Sequence, residues 1–286
     1  MREVLATPGA TRYILEKYRI RARKKYGQNF LIDANVIRGI IDAAQITQDD
    51  CVLEIGPGIG SMTQLLSGAA GKVICVEIDE SLRPVLEETL EDCDNVKILW
   101  QDILKTDLRA ICDEYNEGRP LKVVANLPYY VTTPILMQLL EQKNVFRSIT
   151  VMVQKEVADR IRSGPGSKEY GALSLAVQYY AEPEAVMTVS PSCFIPRPGV
   201  DSSVLCLKAF EEPPVDCNEK VMFGLIRAAF NQRRKTLANA LSSGLGCERL
   251  TVEQALADCG LDVRIRGEAL DLGSFVALTD EMVKRL

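Results

Sequence analysis

Apolar positions along this chain fall into two alternating rhythms. Short β-rich runs stand at "CVLEIG" (51–56), "VICVEI" (73–78), "VKILW" (96–100), "KVVA" (122–125) and "SITVMV" (148–153), separated by segments long enough for a crossover helix. Before them, "DANVIRGIIDAA" spaces Val36, Ile37, Ile40, Ile41 and Ala44 at helical intervals, with Asp33 placed as the N-cap. Such alternation predicts a parallel sheet covered on both faces, whose strands need apolar residues at nearly every position. The rhythm then changes. "AVMTV" (185–189) and "SVLCLKAF" (203–210) are joined through Pro191, Pro196 and Pro198, where no helix can form, so these two are expected to pair antiparallel as an edge hairpin. From "EEPPVD" (211–216) onward the strand signal disappears. Three or four helical segments follow, among them "EKVMFGLIRAAFNQRRKTLANALS" and "TVEQALADCG", the latter with Thr251 as its cap. The expected organisation is a basic N-terminal arm over residues 1–30, an α/β domain over 31–210 and a small all-helical domain over 211–286.

Composition narrows what this architecture can do. The 286 residues are 47% hydrophobic, enough to bury a substantial core. The longest apolar runs fall well short of the ~18 residues needed to cross a bilayer, and the first residues lack a signal-peptide pattern, so a cytoplasmic protein without a membrane partner is expected. Nine cysteines are scattered singly with no C-x-x-C pair, and Cys51 and Cys75 fall in strand-like runs as small hydrophobes. There is no histidine, which excludes His-based triads, His general bases and the zinc site of nucleobase deaminases, and no metal site is expected. The chemistry must need little proton transfer by the protein.

Net charge is −5, unevenly placed. Residues 1–30 hold eight Lys or Arg against two acidic residues, leaving the other 256 with 26 against 37. A basic arm on an acidic body fits a phosphate-contacting edge and a solvated terminus equally well.

Four strand ends carry candidate ligand chemistry. "LEIGPGIGSMT" runs from a strand through Gly56, Gly58 and Gly60 into a helix, and backbone can approach a ligand closely only where side chains are missing. The dinucleotide fingerprint wants glycine at the sixth position, where Ser61 stands, so the spacing favours an adenosyl ligand without a pyrophosphate. The second strand ends in "VEID", with Glu77 placed to accept from ribose hydroxyls. The third ends in "WQDI", with Asp102 placed to accept from an adenine amino group. The fourth delivers "VVANLPYYVTTPI" to the same edge. Asn126 offers an amide oxygen, the Leu127 carbonyl before the rigid Pro128 offers another, and Tyr129 offers a stacking face. Two acceptors beside a flat ring suit a planar amine, whose nitrogen becomes nucleophilic as it pyramidalises.

Taken together, "GQNFLID", "EIGPGIG", "EID", "NLPYYVTTPI" and "FIPRPGVDSSV" resemble the ribosomal RNA adenine dimethyltransferase family, and most closely its bacterial small-subunit branch, from about Lys24 to the C-terminus. The resemblance implies a class I methyltransferase sheet of Rossmann-like type followed by a helical RNA-binding domain, with S-adenosyl-L-methionine as cofactor. It carries cofactor-binding roles to Asn29, Leu31, Gly56, Gly58, Glu77, Asp102 and Asn126. Target-base roles fall to Asn126, Leu127, Pro128 and Tyr129, with Phe194 as the second wall of an aromatic sandwich. The implied activity is transfer of methyl groups to adenine N6 in small-subunit (16S) ribosomal RNA, giving N6,N6-dimethyladenosine during ribosome biogenesis. The implied partner is that RNA or a pre-assembled small subunit, met by a monomer. RNA contacts are expected from Arg21, Arg23, Lys24 and Lys25 and from Arg233, Arg234 and Lys235. Two rivals share much of this: a resistance-type methylase of large-subunit RNA, and a non-catalytic RNA-binding factor of the same fold. A nicotinamide dehydrogenase would leave N-L-P-Y unexplained.

Overall fold

The structure, a computed structural model, describes residues 4–20 and 27–285. Its strands are β1 (Phe30–Leu31), β2 (Cys51–Ile55), β3 (Lys72–Glu77), β4 (Val96–Trp100), β5 (Leu121–Asn126), β6 (Phe146–Gln154), β7 (Ala181–Val189), β8 (Phe194–Ile195) and β9 (Ser202–Ala209). Among the described residues, seven of these form one sheet in the order β4-β3-β2-β5-β6-β9-β7. β2 through β6 run parallel, and β9 lies antiparallel to β6. β7 takes the edge beside β9. The whole of β2 and five of the six residues of β5 are buried, which is why those strands read as continuous apolar runs rather than alternating ones.

The helix expected after residue 33 spans Ala34–Ala43, and Asp33 caps it by accepting from the Asn35 N–H at 2.9 Å. Ile37, Ile40 and Ile41 turn inward against Val52, Val73 and Val124 of the sheet. Fully burying such side chains contributes roughly 1.5–3 kcal/mol each, an upper estimate because the unfolded chain also buries some surface.

The N-terminal region differs from the expected arm. Pro8–Lys17 is a helix, capped by Thr7, and Leu5 and Ile14 pack against Phe30, Ile59 and Val85. Lys17 pairs with Glu88 at 2.6 Å, and the Tyr18 hydroxyl donates to the same carboxylate. Burial of its apolar face makes this segment part of the α/β unit. Arg21, Arg23, Lys24 and Lys25 lie outside the described residues.

Contacts divide the chain into one unit of residues 1–158 with 183–209 and a second of 159–182 with 210–286. One change of unit falls at Phe210, beside the boundary expected near Glu211, and residues 159–182, placed by sequence in the α/β domain, group by contacts with 210–286. The reason lies in packing: Tyr170 is buried, stacks edge-on against Phe230 at 5.9 Å and donates its hydroxyl to the Leu270 carbonyl at 2.8 Å. The long segment after Asn218 is two helices, Glu219–Asn231 and Leu237–Leu245, with Arg233, Arg234 and Lys235 in the turn between them. Thr251 lies inside the helix Arg249–Asp258, whose N-cap position is Glu248. No helix among the described residues is long and apolar enough to cross a membrane.

Candidate active site

Parallel pairing of β2 through β5 brings their C-terminal ends to one edge of the sheet. The chain order runs one way from β2 to β3 and β4, then the other way through β5 and β6. A crevice opens where such an order reverses. Here it is a cleft of about 850 Å³, open to solvent, reached by Gly56, Glu77, Asp102, Asn126 and Tyr129 and walled by Ile55, Val76, Ile78, Ile103 and Ile135.

The glycines of the first turn serve different needs. Gly56 has φ +71°, and a Cβ built there would meet nothing within 4 Å, so the turn presents bare backbone to open space. At Gly58 (φ +61°) a Cβ would lie 3.3 Å from the Phe30 ring, so this glycine lets the wall of the cleft close in. Glu77 is almost fully buried. Its Oε1 accepts from the Asp79 N–H at 2.8 Å and its Oε2 from the Gly58 N–H at 3.4 Å. Burial raises its pKa, while these backbone donors pull it back down. Asp102 lines the cleft and caps a short 3₁₀ turn, Ile103–Lys105, through a 3.0 Å bond from the Leu104 N–H to Oδ1.

At the end of β5 the anchoring is of another kind. Asn126 donates from Nδ2 to the Asn29 carbonyl at 3.1 Å, and that carbonyl fixes which way the amide points, leaving Oδ1 as its acceptor. Leu127 continues the ladder with its N–H on the Met152 carbonyl at 3.1 Å. The Pro128 carbonyl accepts twice, from the Val131 N–H at 3.2 Å and from Thr132 Oγ1 at 2.9 Å, whereas the Leu127 carbonyl receives no hydrogen bond among the described residues. The half-buried Tyr129 faces the cleft, and its hydroxyl lies 2.8 Å from Ser202 Oγ. Burial raises its pKa as well, which keeps the phenol protonated.

Of the residues expected at the site, Asn29, Gly56, Gly58, Glu77, Asp102, Asn126, Leu127, Pro128 and Tyr129 meet at this cleft. Leu31 and Phe194 do not. They sit opposite each other in the antiparallel β1·β8 pair, and both side chains turn into the core with Ile37, Val52 and Val204. Phe194 is 1% exposed and does not line the cleft among the described residues. In the helical unit Arg233 is committed to Glu268 at 2.8 Å and to the Ser167 carbonyl at 3.1 Å, while Arg234 and Lys235 are exposed. Two further residues bear on the site, Glu54 and Ser202. Glu54 is fully buried in β2 and receives the Cys75 thiol on Oε2 at 3.5 Å, while Oε1 has no hydrogen-bond partner among the described residues; burial raises its pKa to about 7. A carboxylate inside an otherwise apolar strand was the available signal. Ser202 was the other, visible only as part of "VDSSV".

Residues 19–268 match the family described as ribosomal RNA adenine dimethylase. The ribosomal RNA small subunit methyltransferase A of Lachnoclostridium phytofermentans is 55% identical over 280 residues, covering 96% of this chain and 97% of its own. A dimethyladenosine transferase from Plasmodium falciparum superposes with a TM-score of 0.75 at 26% identity, covering 90% of this chain and 98% of its own. The 23S rRNA methyltransferase ErmE gives 0.66 at 25% identity, covering 89% and 100%. The chain belongs to the ribosomal RNA adenine dimethylase family.

Proposed function

We propose that the cleft holds S-adenosylmethionine against Gly56, Glu77 and Asp102 and a single extruded adenine against Asn126, Leu127 and Tyr129. The protein is an S-adenosylmethionine-dependent ribosomal RNA adenine dimethyltransferase, and its reaction is N6 methylation of adenine in 16S ribosomal RNA. The observation that carries the assignment of roles is the pair of uncommitted acceptors, Asn126 Oδ1 and the Leu127 carbonyl, beside an aromatic ring in the cleft that also receives two acidic strand ends.

The residues present fit the cofactor. Gly56 leaves open space for close backbone approach, Glu77 and Asp102 offer acceptors for ribose hydroxyls and an adenine amino group, and Ile78 and Ile103 flank them with apolar surface. When bound, the cofactor supplies an electrophilic methyl group on a sulfonium. The chain's own contribution is to hold and polarise the nucleophile. Adenine N6 is a weak nucleophile because its lone pair is delocalised into the ring. Accepting its two N–H bonds at Asn126 and Leu127 in the first transfer, and the one that remains in the second, favours the pyramidal amine, and these bonds strengthen as positive charge grows on nitrogen, so they lower the barrier more than they tighten binding. Tyr129 stacks on the base and Pro128 fixes the turn that presents it. No strong base is required, in keeping with a chain that has no histidine.

Several finer points are part of the same proposal. The substrate is a small subunit in some stage of assembly, the enzyme acts as a monomer in the cytoplasm, and Arg234 and Lys235 bind phosphates of the RNA backbone. A small-subunit substrate is supported by the 55% identical relative named for that subunit, whereas the large-subunit enzyme shares fold at 25% identity. The non-catalytic reading is disfavoured by the intact acceptor set. Asn126→Ala is the deciding variant: it should bind cofactor and lose methyl transfer on under-methylated small subunits. Near wild-type transfer by this variant would refute the assigned role.

A further inference from the structure

"FIPRPGVDSSV" carries part of the family resemblance, yet the cofactor and the target amine account for none of it. Ser202 opens β9 opposite Gln154 of β6, and the ladder is locked just beyond it by the Lys155 N–H on the Asp201 carbonyl at 3.0 Å. Its side chain is fully buried. The hydroxyl lies 2.8 Å from Tyr129 Oη, its partner 73 positions back in the chain. Ser203, its neighbour, faces the other side of the sheet, as strand alternation requires, and its Oγ lies 3.4 Å from the Met187 carbonyl.

We propose that Ser202 is a positioning residue that sets the plane of the Tyr129 ring on which the target adenine stacks. A tyrosine ring pinned only at its Cα can swing about χ1 and turn about χ2. Here the Cα end is held by the N-L-P-Y turn, through the Leu127 N–H on Met152 and Thr132 on Pro128. The far end is held by Ser202, which leaves the ring one orientation in the cleft. A stacking platform fixed before the base arrives avoids ordering it during binding, and holds N6 at the distance that Asn126 and Leu127 require. Burial strengthens the tether on the Ser202 side, where the side chain is closed off from bulk water. The inference rests on the reading of Tyr129 as the base platform.

The test is a double-mutant cycle on methyl transfer to under-methylated small ribosomal subunits, with Ser202→Ala, Tyr129→Phe and the combined variant. Each single variant should lower kcat/KM by about 3- to 10-fold, the size expected for removal of one hydrogen bond. The combined variant should lose no more than either alone, because both changes delete one bond. S-adenosylmethionine should stabilise all three against heat as it does the wild type, and Ser203→Ala should turn over at the wild-type rate. Losses that multiply in the combined variant, or wild-type kinetics for Tyr129→Phe, would overturn the proposal. Should Ser202→Ala not fold, the Tyr129→Phe kinetics decide alone. Tyr129→Ala separates the two readings. If it methylates normally, the platform itself is wrong; if it is inactive while Ser202→Ala is normal, the tether alone is wrong.

Discussion

The two halves of the cleft are anchored in different ways. On the side proposed for the cofactor, Glu77 and Asp102 are held by backbone N–H groups two residues further along, at Asp79 and Leu104, with the Gly58 turn completing the first. On the side proposed for the target base, Asn126 is held by a carbonyl 97 positions away and Tyr129 by a hydroxyl 73 positions away. Local anchoring suits a ligand whose recognition needs charged acceptors at strand ends, because each strand and its following turn form the unit. Remote anchoring suits geometry, because a planar amine must be met by two acceptors and a ring arriving from different parts of the fold. The cofactor half should therefore tolerate distant substitutions that the target half does not.

The largest test of this contrast is Asn126→Ala. Removing an acceptor used most as charge develops should lower kcat by about 10²–10³-fold, by analogy with the loss of one oxyanion-hole donor. S-adenosylmethionine should still raise the melting temperature, and losing that response would mean that the two halves are not separable.

Glu54 probes the ground under the cofactor half. Its pKa is raised from 4.5 to about 7 by burial, so the folded chain keeps a proton that the unfolded chain releases. Its contribution to stability is complete below pH 4.5 and is lost as pH rises through about 7, by up to about 3 kcal/mol. Glu54→Gln should flatten the decline of stability over that interval in calorimetry, leaving the Asn126 and Tyr129 functions in place. An unchanged slope would show that Glu54 is not the titrating group.

A smaller effect is expected from Glu77→Ala, which deletes charge-assisted acceptors worth about 1.5–3 kcal/mol. Cofactor affinity measured by titration calorimetry should fall by roughly 10- to 100-fold, while adenine recognition at saturating cofactor is retained. Equal loss of both would erase the division between the halves.

The smallest effects separate neighbouring cations in the helical unit by the same logic of commitment. Arg233 is spent on Glu268 and the Ser167 carbonyl, at partial exposure, so Arg233→Gln should cost under about 1 kcal/mol of stability and leave RNA binding nearly intact. Neutralising exposed Arg234 and Lys235 should instead reduce the salt dependence of RNA binding by about 0.7–0.9 log units for each RNA phosphate that no longer meets a cation. The reverse pattern in a binding series over salt would reassign the roles of these three side chains.

Much of the cofactor half was legible along the chain. The alternation of apolar runs and helical spacings located β2 to β6 within one or two residues, the Asp33 cap was where its residue type required, and the glycine turn with acids closing the next two strands marked the edge. These features rest on interactions among residues close in sequence, where spacing and residue type are sufficient. Parallel pairing then follows from the crossovers and gathers the strand ends on one side.

Only the tertiary structure decided the rest. Whether Phe194 faces the cleft or the core depends on its pairing with Leu31, and nothing in "CFIPRP" specifies a partner 163 positions away. The same holds for the allegiance of residues 159–182, set by the burial of Tyr170, and for Arg233, which reads as one of three like cations until Glu268 takes it up. Thr251 had the residue type of a cap but not the position, because Val252, Ala255 and Leu256 bury as one helical face and draw the preceding turn into the helix. A hydrogen bond or a packed ring between distant segments depends on where the folded backbone puts them, and that placement is the summed result of the core rather than a property of any local pattern.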